Sequence, residues 1–197
     1  MYPGSIRDLI ECLKDLPGIG EKSAERMAFS ILNFDDDKLD YFSNAISMIK
    51  RIKKCPICNN ITDMDKCYIC LDDSRTNDTI FVVEKAKDII LFEKMGNYRG
   101  RYHVLGGLIS PIDGINPEDI NIDSLINRVK ENNVSEVIIV LKPSIEGETT
   151  MQYIKRVLSK FDVRVSKIPI GIPMGTDIEY IDSMTLEMAF EDRKDIS

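Results

Sequence analysis

The 197-residue sequence predicts a multi-part α+β chain. It reads as an N-terminal helical hairpin unit, a small cysteine module, an α/β domain with a mostly parallel sheet, and a short strand/helix tail. Three observations lead there. Apolar residues recur at helical spacing before Lys54. Cys55, Cys58, Cys67 and Cys70 form two close pairs. Beyond them, short apolar runs alternate with helical patterns, the signature of strand–helix–strand units. The corresponding parts are residues 1–54, 55–70, 78–170 and 171–197.

The first helix is expected over Ser5–Asp15, with Ser5 as N-cap and a stripe of Ile6, Leu9, Ile10 and Leu13. Cys12 lies near that stripe and reads as a half-buried small hydrophobe. The second helix starts at about Glu21 and carries Ala24, Met27, Ala28 and Ile31 on one face. The third runs from Asp35-Asp36-Asp37, acids that favour a helix start, to about Lys53, with Leu39, Phe42, Ile46 and Ile49 as its apolar face. Lys50-Arg51-Ile52-Lys53-Lys54 is then a basic helix end.

Between the first two helices, Leu16-Pro17-Gly18-Ile19-Gly20 makes a tight turn whose amides open into a helix start. That is a physical recipe for holding a phosphate. Lys22 and Arg26, four apart, share the exposed side of the second helix. An ordinary helical hairpin with a solvated basic pair fits the same residues.

The four cysteines are spaced C-x2-C-x8-C-x2-C, with Asn59–Lys66 between the pairs as a tight hairpin. Two such turns aim four thiolates at one point, which suits a tetrahedral Zn2+. The sole histidine, His103, is far downstream. Four protein ligands leave no open coordination position, so the site reads as structural. Two disulfides, or four reduced thiols, are the alternatives.

In the α/β part, Ile80–Val83 reads as a buried strand ending at Glu84, followed by a helix over Asp88–Lys94. Tyr102–Leu105 is a strand and Ser124–Glu131 a helix. Val137–Leu141, apolar throughout, is the central parallel strand. A helix follows from about Glu148, and Val163 and Val165 open another strand. Asp182–Phe190 is a short terminal helix. Parallel sheets work at the carboxyl ends of their strands. That rule brings Glu84, Glu146 and Glu148 together at one edge, a suggestion of Mg2+ and phosphoryl chemistry.

Hydrophobic residues make up 43% and charged residues 30%, the balance of an ordinary globular chain. The net charge of -7 argues against a nucleic-acid binder that uses its whole surface. Residues 1–54, however, hold nine Lys/Arg against nine Asp/Glu, so the acidic excess lies entirely in the remainder. That split leaves the N-terminal part open to a DNA site and suits the rest to a metal or a basic partner. No apolar run spans a bilayer, Met1 opens no signal-peptide pattern, and metal-type cysteines suit a reducing cytosol. A cytoplasmic protein without membrane contact is expected. His103 has no nucleophilic partner in sequence and reads as structural. Gly106-Gly107 lacks the rest of a dinucleotide fingerprint.

Leu16–Gly20 with Lys22, Ala24 and Arg26 resembles the helix-hairpin-helix of DNA repair proteins. Joined to the cysteine array at this distance, it is similar to the RecR family of bacterial recombination mediators. The strings Tyr98-Arg99-Gly100, Tyr102–Pro111, Gly171-Ile172-Pro173 and Glu179-Tyr180 extend the resemblance over nearly the whole chain. The α/β part resembles a Toprim domain. Active Toprim enzymes carry Asp-x-Asp just before a Glu-Gly-Glu stretch; here Lys142 and Ser144 stand at those positions, before Glu146-Gly147-Glu148.

The resemblance implies a retired active site and a DNA-binding, non-enzymatic clamp with one structural Zn2+. It also implies dimers assembling into a ring-like tetramer that surrounds double-stranded DNA. RecO and RecF are the implied partners, with RecA loaded at gapped DNA after displacement of single-strand-binding protein. Gly18, Gly20, Lys22 and Arg26 become DNA-binding residues. Glu84, Glu146 and Glu148 become a docking face for basic residues of RecO, and the tail, with Ile178, Tyr180 and Ile181, a subunit contact. A Mg2+-dependent Toprim nuclease or strand-transfer enzyme is the alternative.

Overall fold

A computed structural model of the chain describes residues 2–169, 171–193 and 195; the expected boundary at residue 170 and tail residues 194, 196 and 197 lie outside them. The chain forms two compact units, Met1–Ile52 and Lys53–Ser197.

The first unit is helical: α1 (Gly4–Lys14), α2 (Glu21–Ile31) and α3 (Asp36–Met48). The residue preceding α1 is Pro3, not Ser5, because proline's fixed φ suits a helix entry and Ser5 is already inside the first turn. Ile10 of α1 buries itself against Ala24 and Ala28 of α2, small side chains that let the two helices approach closely. Cys12 falls beside the Ile6–Leu13 stripe and is exposed, contrary to the expectation of half-burial. Asp35 caps α3 by accepting the Lys38 N–H at 2.8 Å. The helix ends at Met48, earlier than expected. Ile49–Arg51 tighten into a 3-10 turn and Ile52 is extended, because Lys53 and Lys54 are drawn into a strand. No side chain of α3 is buried; Leu39, Phe42, Ile46 and Ile49 all stand exposed.

The second unit opens with β1 (Lys53–Lys54) paired antiparallel to β2 (Ile61–Thr62), then α4 (Tyr68–Leu71). The hairpin thus encloses the first cysteine pair, where the sequence suggested a hairpin between the pairs. The rest is β3 (Thr79–Val83), α5 (Ala86–Met95), β4 (Arg101–Val104), α6 (Ile122–Glu131), β5 (Glu136–Val140), α7 (Ile145–Leu158), β6 (Arg164–Lys167) and α8 (Ser183–Glu191). The four long strands form a parallel sheet in the order β4-β3-β5-β6, so the two most apolar strands are central.

Alternation along these strands builds two cores. Ile80, Val82, Val137 and Ile139 face α6 and α7, meeting Leu125, Val129, Ile154 and Leu158. Phe81 and Val83 face the other way, toward Ile89 of α5, and share that layer with Tyr102 and three of the cysteines. Helix α7 begins at Ile145, earlier than the expected Glu148, because Ser144 accepts the Gly147 N–H and caps it there.

His103 is fully buried on β4. Nδ1 lies 3.2 Å from an Arg128 nitrogen and Nε2 lies 2.6 Å from the Asn121 carbonyl. Arg128 only donates, so Nδ1 accepts and the proton sits on Nε2. Burial, reinforced by Arg128, pushes the ring's pKa down to about 3 from 6.5. The denatured chain therefore takes up a proton below about pH 6.5 that the native one refuses until about pH 3, and stability is lost as pH falls through that window. The expected slope is up to about 1.4 kcal/mol per pH unit. Urea midpoints between pH 4.5 and 7.5 check this: His103→Gln should flatten the wild-type slope in the acid half, even though its absolute stability is lower.

Candidate metal centre and nucleic-acid interface

The sulfur atoms of Cys55, Cys58, Cys67 and Cys70 all lie within 4.8 Å of one another, and three of the four residues are buried. Tetrahedral Zn–S bonds of about 2.3 Å set neighbouring sulfurs about 3.8 Å apart, between the 3.4 Å of Cys58–Cys67 and the 4.8 Å outer limit of this donor set, so the residues fit the ion. The backbone shapes each turn. Asn59 takes positive φ, which Asn tolerates, and its N–H closes on the Cys55 carbonyl at 2.8 Å. The Cys67 N–H points at the Cys55 sulfur at 3.4 Å, and Cys58 and Cys67 sulfurs are 3.4 Å apart. Thiols this close hold one another's protons, Cys58 being pushed up by Cys67 and Cys67 pulled down by Cys58. A divalent cation relieves the conflict by taking all four as thiolates.

The knuckle is seated on the sheet. Val104 of edge strand β4 donates to the Cys58 carbonyl at 2.8 Å, and the Asn59 side chain donates to the Val104 carbonyl at 2.9 Å. Arg101 of the same strand donates to the Ile69 carbonyl, inside the second cysteine turn.

In the N-terminal unit, Gly18 takes φ +83 in open space, and Gly20 precedes α2 in extended conformation. The Ile19 N–H closes the turn on the Leu16 carbonyl at 3.0 Å. Among the described residues, the N–H groups of Gly18, Gly20, Glu21 and Lys22 find no acceptor in the protein. All four belong to exposed residues at or just before the positive end of α2. Lys22 and Arg26 are both exposed on it. Glu21, an anion at the same helix start, is held by Lys14 at 2.7 Å; that contact and Glu11 push Lys14 up to about 12.

At the carboxyl edge of the sheet, Glu84 follows β3 and pairs with Lys85 at 3.1 Å. Glu146 and Glu148 lie in the first turn of α7, where Ser144 and then Lys142 help hold the Glu146 carboxylate below its ordinary range. Glu148 accepts from Gln152 at 2.7 Å. The three acids do not form a ligand cluster of ion size. Among the described residues, only the cysteines bring three or more ligand groups within reach of one ion. Because α7 starts at Ile145, Glu146 and Glu148 are fixed on its first turn instead of on a free loop. Beside this edge, a cavity of about 1060 Å3 opens between α7, β6 and α8, lined by Leu141, Met151, Tyr153, Met184 and Met188 among others.

Residues missed by the sequence reading cluster behind the knuckle. Arg101 and Arg128 are buried polar residues of β4 and α6. Burial lowers the Arg128 pKa while thiolate charge at Cys58 and Cys70 opposes that shift. An arginine opening the short strand Arg101–Val104, just before Tyr102 and His103, was the available signal.

A bare-amide helical hairpin, a four-cysteine knuckle and a parallel α/β sheet define a multi-part chain carrying a Toprim domain, whose family model matches residues 78–169. Three further models match the remainder: the RecR helix-hairpin-helix at 6–49, the RecR four-cysteine zinc finger domain at 52–72 and the RecR C-terminal segment at 171–194. The recombination protein RecR of Natranaerobius thermophilus is 43% identical over 196 residues, 99% of this chain and 98% of that protein. The recombination protein RecR of Clavibacter michiganensis subsp. michiganensis is 45% identical over 195 residues, 98% of each. The chain belongs to the RecR family.

The turn geometry makes a separable expectation. Gly18→Ala places a Cβ at positive φ and should lower the stability of the N-terminal unit by about 1 kcal/mol. Gly20→Ser, at an extended N-cap with open space, should leave it unchanged or raise it by a few tenths. Urea denaturation of the full chain, followed on the helical signal, compares the two; equal effects would contradict the turn described.

Proposed function

We propose that this chain is a DNA-binding recombination mediator without catalytic chemistry of its own, carrying one structural Zn2+ on Cys55, Cys58, Cys67 and Cys70. The observation that carries the reading is the helix start at Gly18–Lys22, where bare amides and the exposed Lys22 and Arg26 suit a nucleic-acid phosphate. Lys14 supports it by neutralising Glu21, the one acid at that helix start. Gly18 and Gly20 supply the backbone geometry, and Lys22 and Arg26 the charge.

One hairpin touches few phosphates and binds weakly. Several copies acting together multiply the effect without new chemistry. The bare face of α3 favours such assembly, since Leu39, Phe42, Ile46 and Ile49 need a cover that residues 2–52 do not provide. In this reading dimers assemble into a ring-like tetramer around double-stranded DNA, with residues 171–197 as a further subunit contact. The protein works in the cytoplasm with RecO and RecF to place RecA on gapped DNA. Glu84, Glu146 and Glu148 receive basic residues of RecO, beside the cavity at α7 and α8. The Mg2+-dependent nuclease alternative lacks a ligand set, because Lys142 and Ser144 stand where two aspartates would be needed and Ser144 is engaged as a helix cap.

Fluorescence anisotropy on duplex DNA tests the reading at matched oligomeric state. Lys22→Glu/Arg26→Glu should weaken binding at least tenfold, with a salt dependence shallower by about one unit of slope for each phosphate no longer neutralised. Equal binding by both proteins would move the DNA surface elsewhere and make the hairpin an assembly element. For the docking face, Glu146→Lys should weaken RecO binding at low salt; unchanged affinity would contradict that assignment.

A further inference from the structure

Behind the cysteine knuckle lies a cavity of about 250 Å3 whose wall includes Ile57, Cys70, Asn77, Arg101 and Arg128. It brings two buried guanidinium groups and a metal-ligand cysteine to one place. Both arginines are more than nine-tenths buried, Arg101 at 7% and Arg128 at 9% exposure.

A buried cation needs an opposite charge nearby, because neutral dipoles compensate only part of the hydration it loses. This chain follows that rule elsewhere. Arg75, whose side chain is also buried, is paired with Asp72 at 3.1 Å and with Glu93. Arg101 and Arg128 are different. Arg101 donates to the Asn77 side chain and to the carbonyls of Ile69 and Arg75. Arg128 donates to the Tyr102 carbonyl and to neutral His103. Among the described residues neither makes an ion pair. Asp73 shares the cavity wall, but its carboxylate is not within pairing distance of either.

The missing negative charge stands next door. Four thiolates around one divalent zinc carry a formal charge of two minus, in a knuckle whose cysteines belong to the same core layer as Tyr102 and Val104. The two guanidinium groups match that charge. We propose that Arg101 and Arg128 are the counter-ions of the tetrathiolate metal centre, so that the strand and helix of the α/β domain hold the metal's charge as well as its fold. The inference rests on the structural-zinc reading and adds the residues that would set the metal's affinity from outside its ligand shell.

The counter-ions are also anchored into the sheet. Arg101 ties β4 to the second cysteine turn, and Arg128 carries α6 onto β4 through Tyr102 and His103. Removing the charge of either should therefore be felt at the metal before it is felt at the DNA-binding hairpin.

The experiment measures zinc content and zinc affinity of the full chain, by elemental analysis and by competition with a chromophoric chelator. Wild type should hold one zinc per chain. Arg128→Gln should weaken affinity by about 10- to 100-fold, the range typical for removal of outer-shell partners. Arg128→Lys, which keeps the charge, should retain most of it. Should Arg128→Gln fail to fold, Arg101→Gln carries the same expectation from the opposite flank. Cys70→His removes one negative charge from the centre, so the loss caused by Arg128→Gln should shrink in that background. Undiminished affinity in the Gln variants, or equal losses for Lys and Gln, would overturn the counter-ion role while zinc itself stands. Absence of stoichiometric zinc in wild type would overturn the metal reading and this inference together.

Discussion

The seat of the cysteine knuckle on strand β4 is the contact on which the second unit depends. Two backbone groups of Val104 make it: the N–H reaches the Cys58 carbonyl, and the carbonyl takes the Asn59 amide. An edge strand presents unpaired backbone groups that invite pairing with another chain. Here the edge is closed by the small four-cysteine module. Cys55, Cys58 and Cys67 pack in one layer with Phe81, Val83 and Tyr102, so the knuckle and that face of the sheet share a core. The cysteine knuckle covers one face of the sheet β4-β3-β5-β6 while α6 and α7 cover the other.

At the carboxyl edge of the same sheet, where Val83 pairs with Val104 and Glu84 follows, the polar side chains are held in local contacts. Gly147 is close against the Lys142 carbonyl, so the turn into α7 is too tight for any larger residue. Ser144 spends its oxygen capping the helix, Glu84 is paired with Lys85, and Glu148 is tied to Gln152. Each group that could attend a metal is committed to local structure.

Much of this was legible in the sequence. The clustering of the four cysteines was readable from their spacing, and the all-apolar Ile80–Val83 and Val137–Leu141 runs located the two central strands, because burial on both faces removes every polar alternative. The Pro-Gly-x-Gly turn was readable because positive φ at Gly18 and an N-cap at Gly20 each leave a residue signature. Other features left none. The true start of α7 turned on a serine hydroxyl reaching one amide. Cys12 missed burial by its angle around a helix. The exposed face of α3 has the pattern of a buried one, since periodicity reports that a face is apolar without saying what covers it. Arg101 and Arg128 come from different elements, a strand and a distant helix, and only the tertiary fold brings them to one cavity.

Amide hydrogen exchange of the zinc-loaded full chain, before and after chelation, tests directly whether the knuckle and the sheet are one structure. Loss of zinc should raise exchange at Val104 and spread along Arg101–Leu105 into β3, in step with the cysteine turns. If exchange rises only within residues 55–70 while β4 keeps its protection, the knuckle is an appendage and the sheet stands without it.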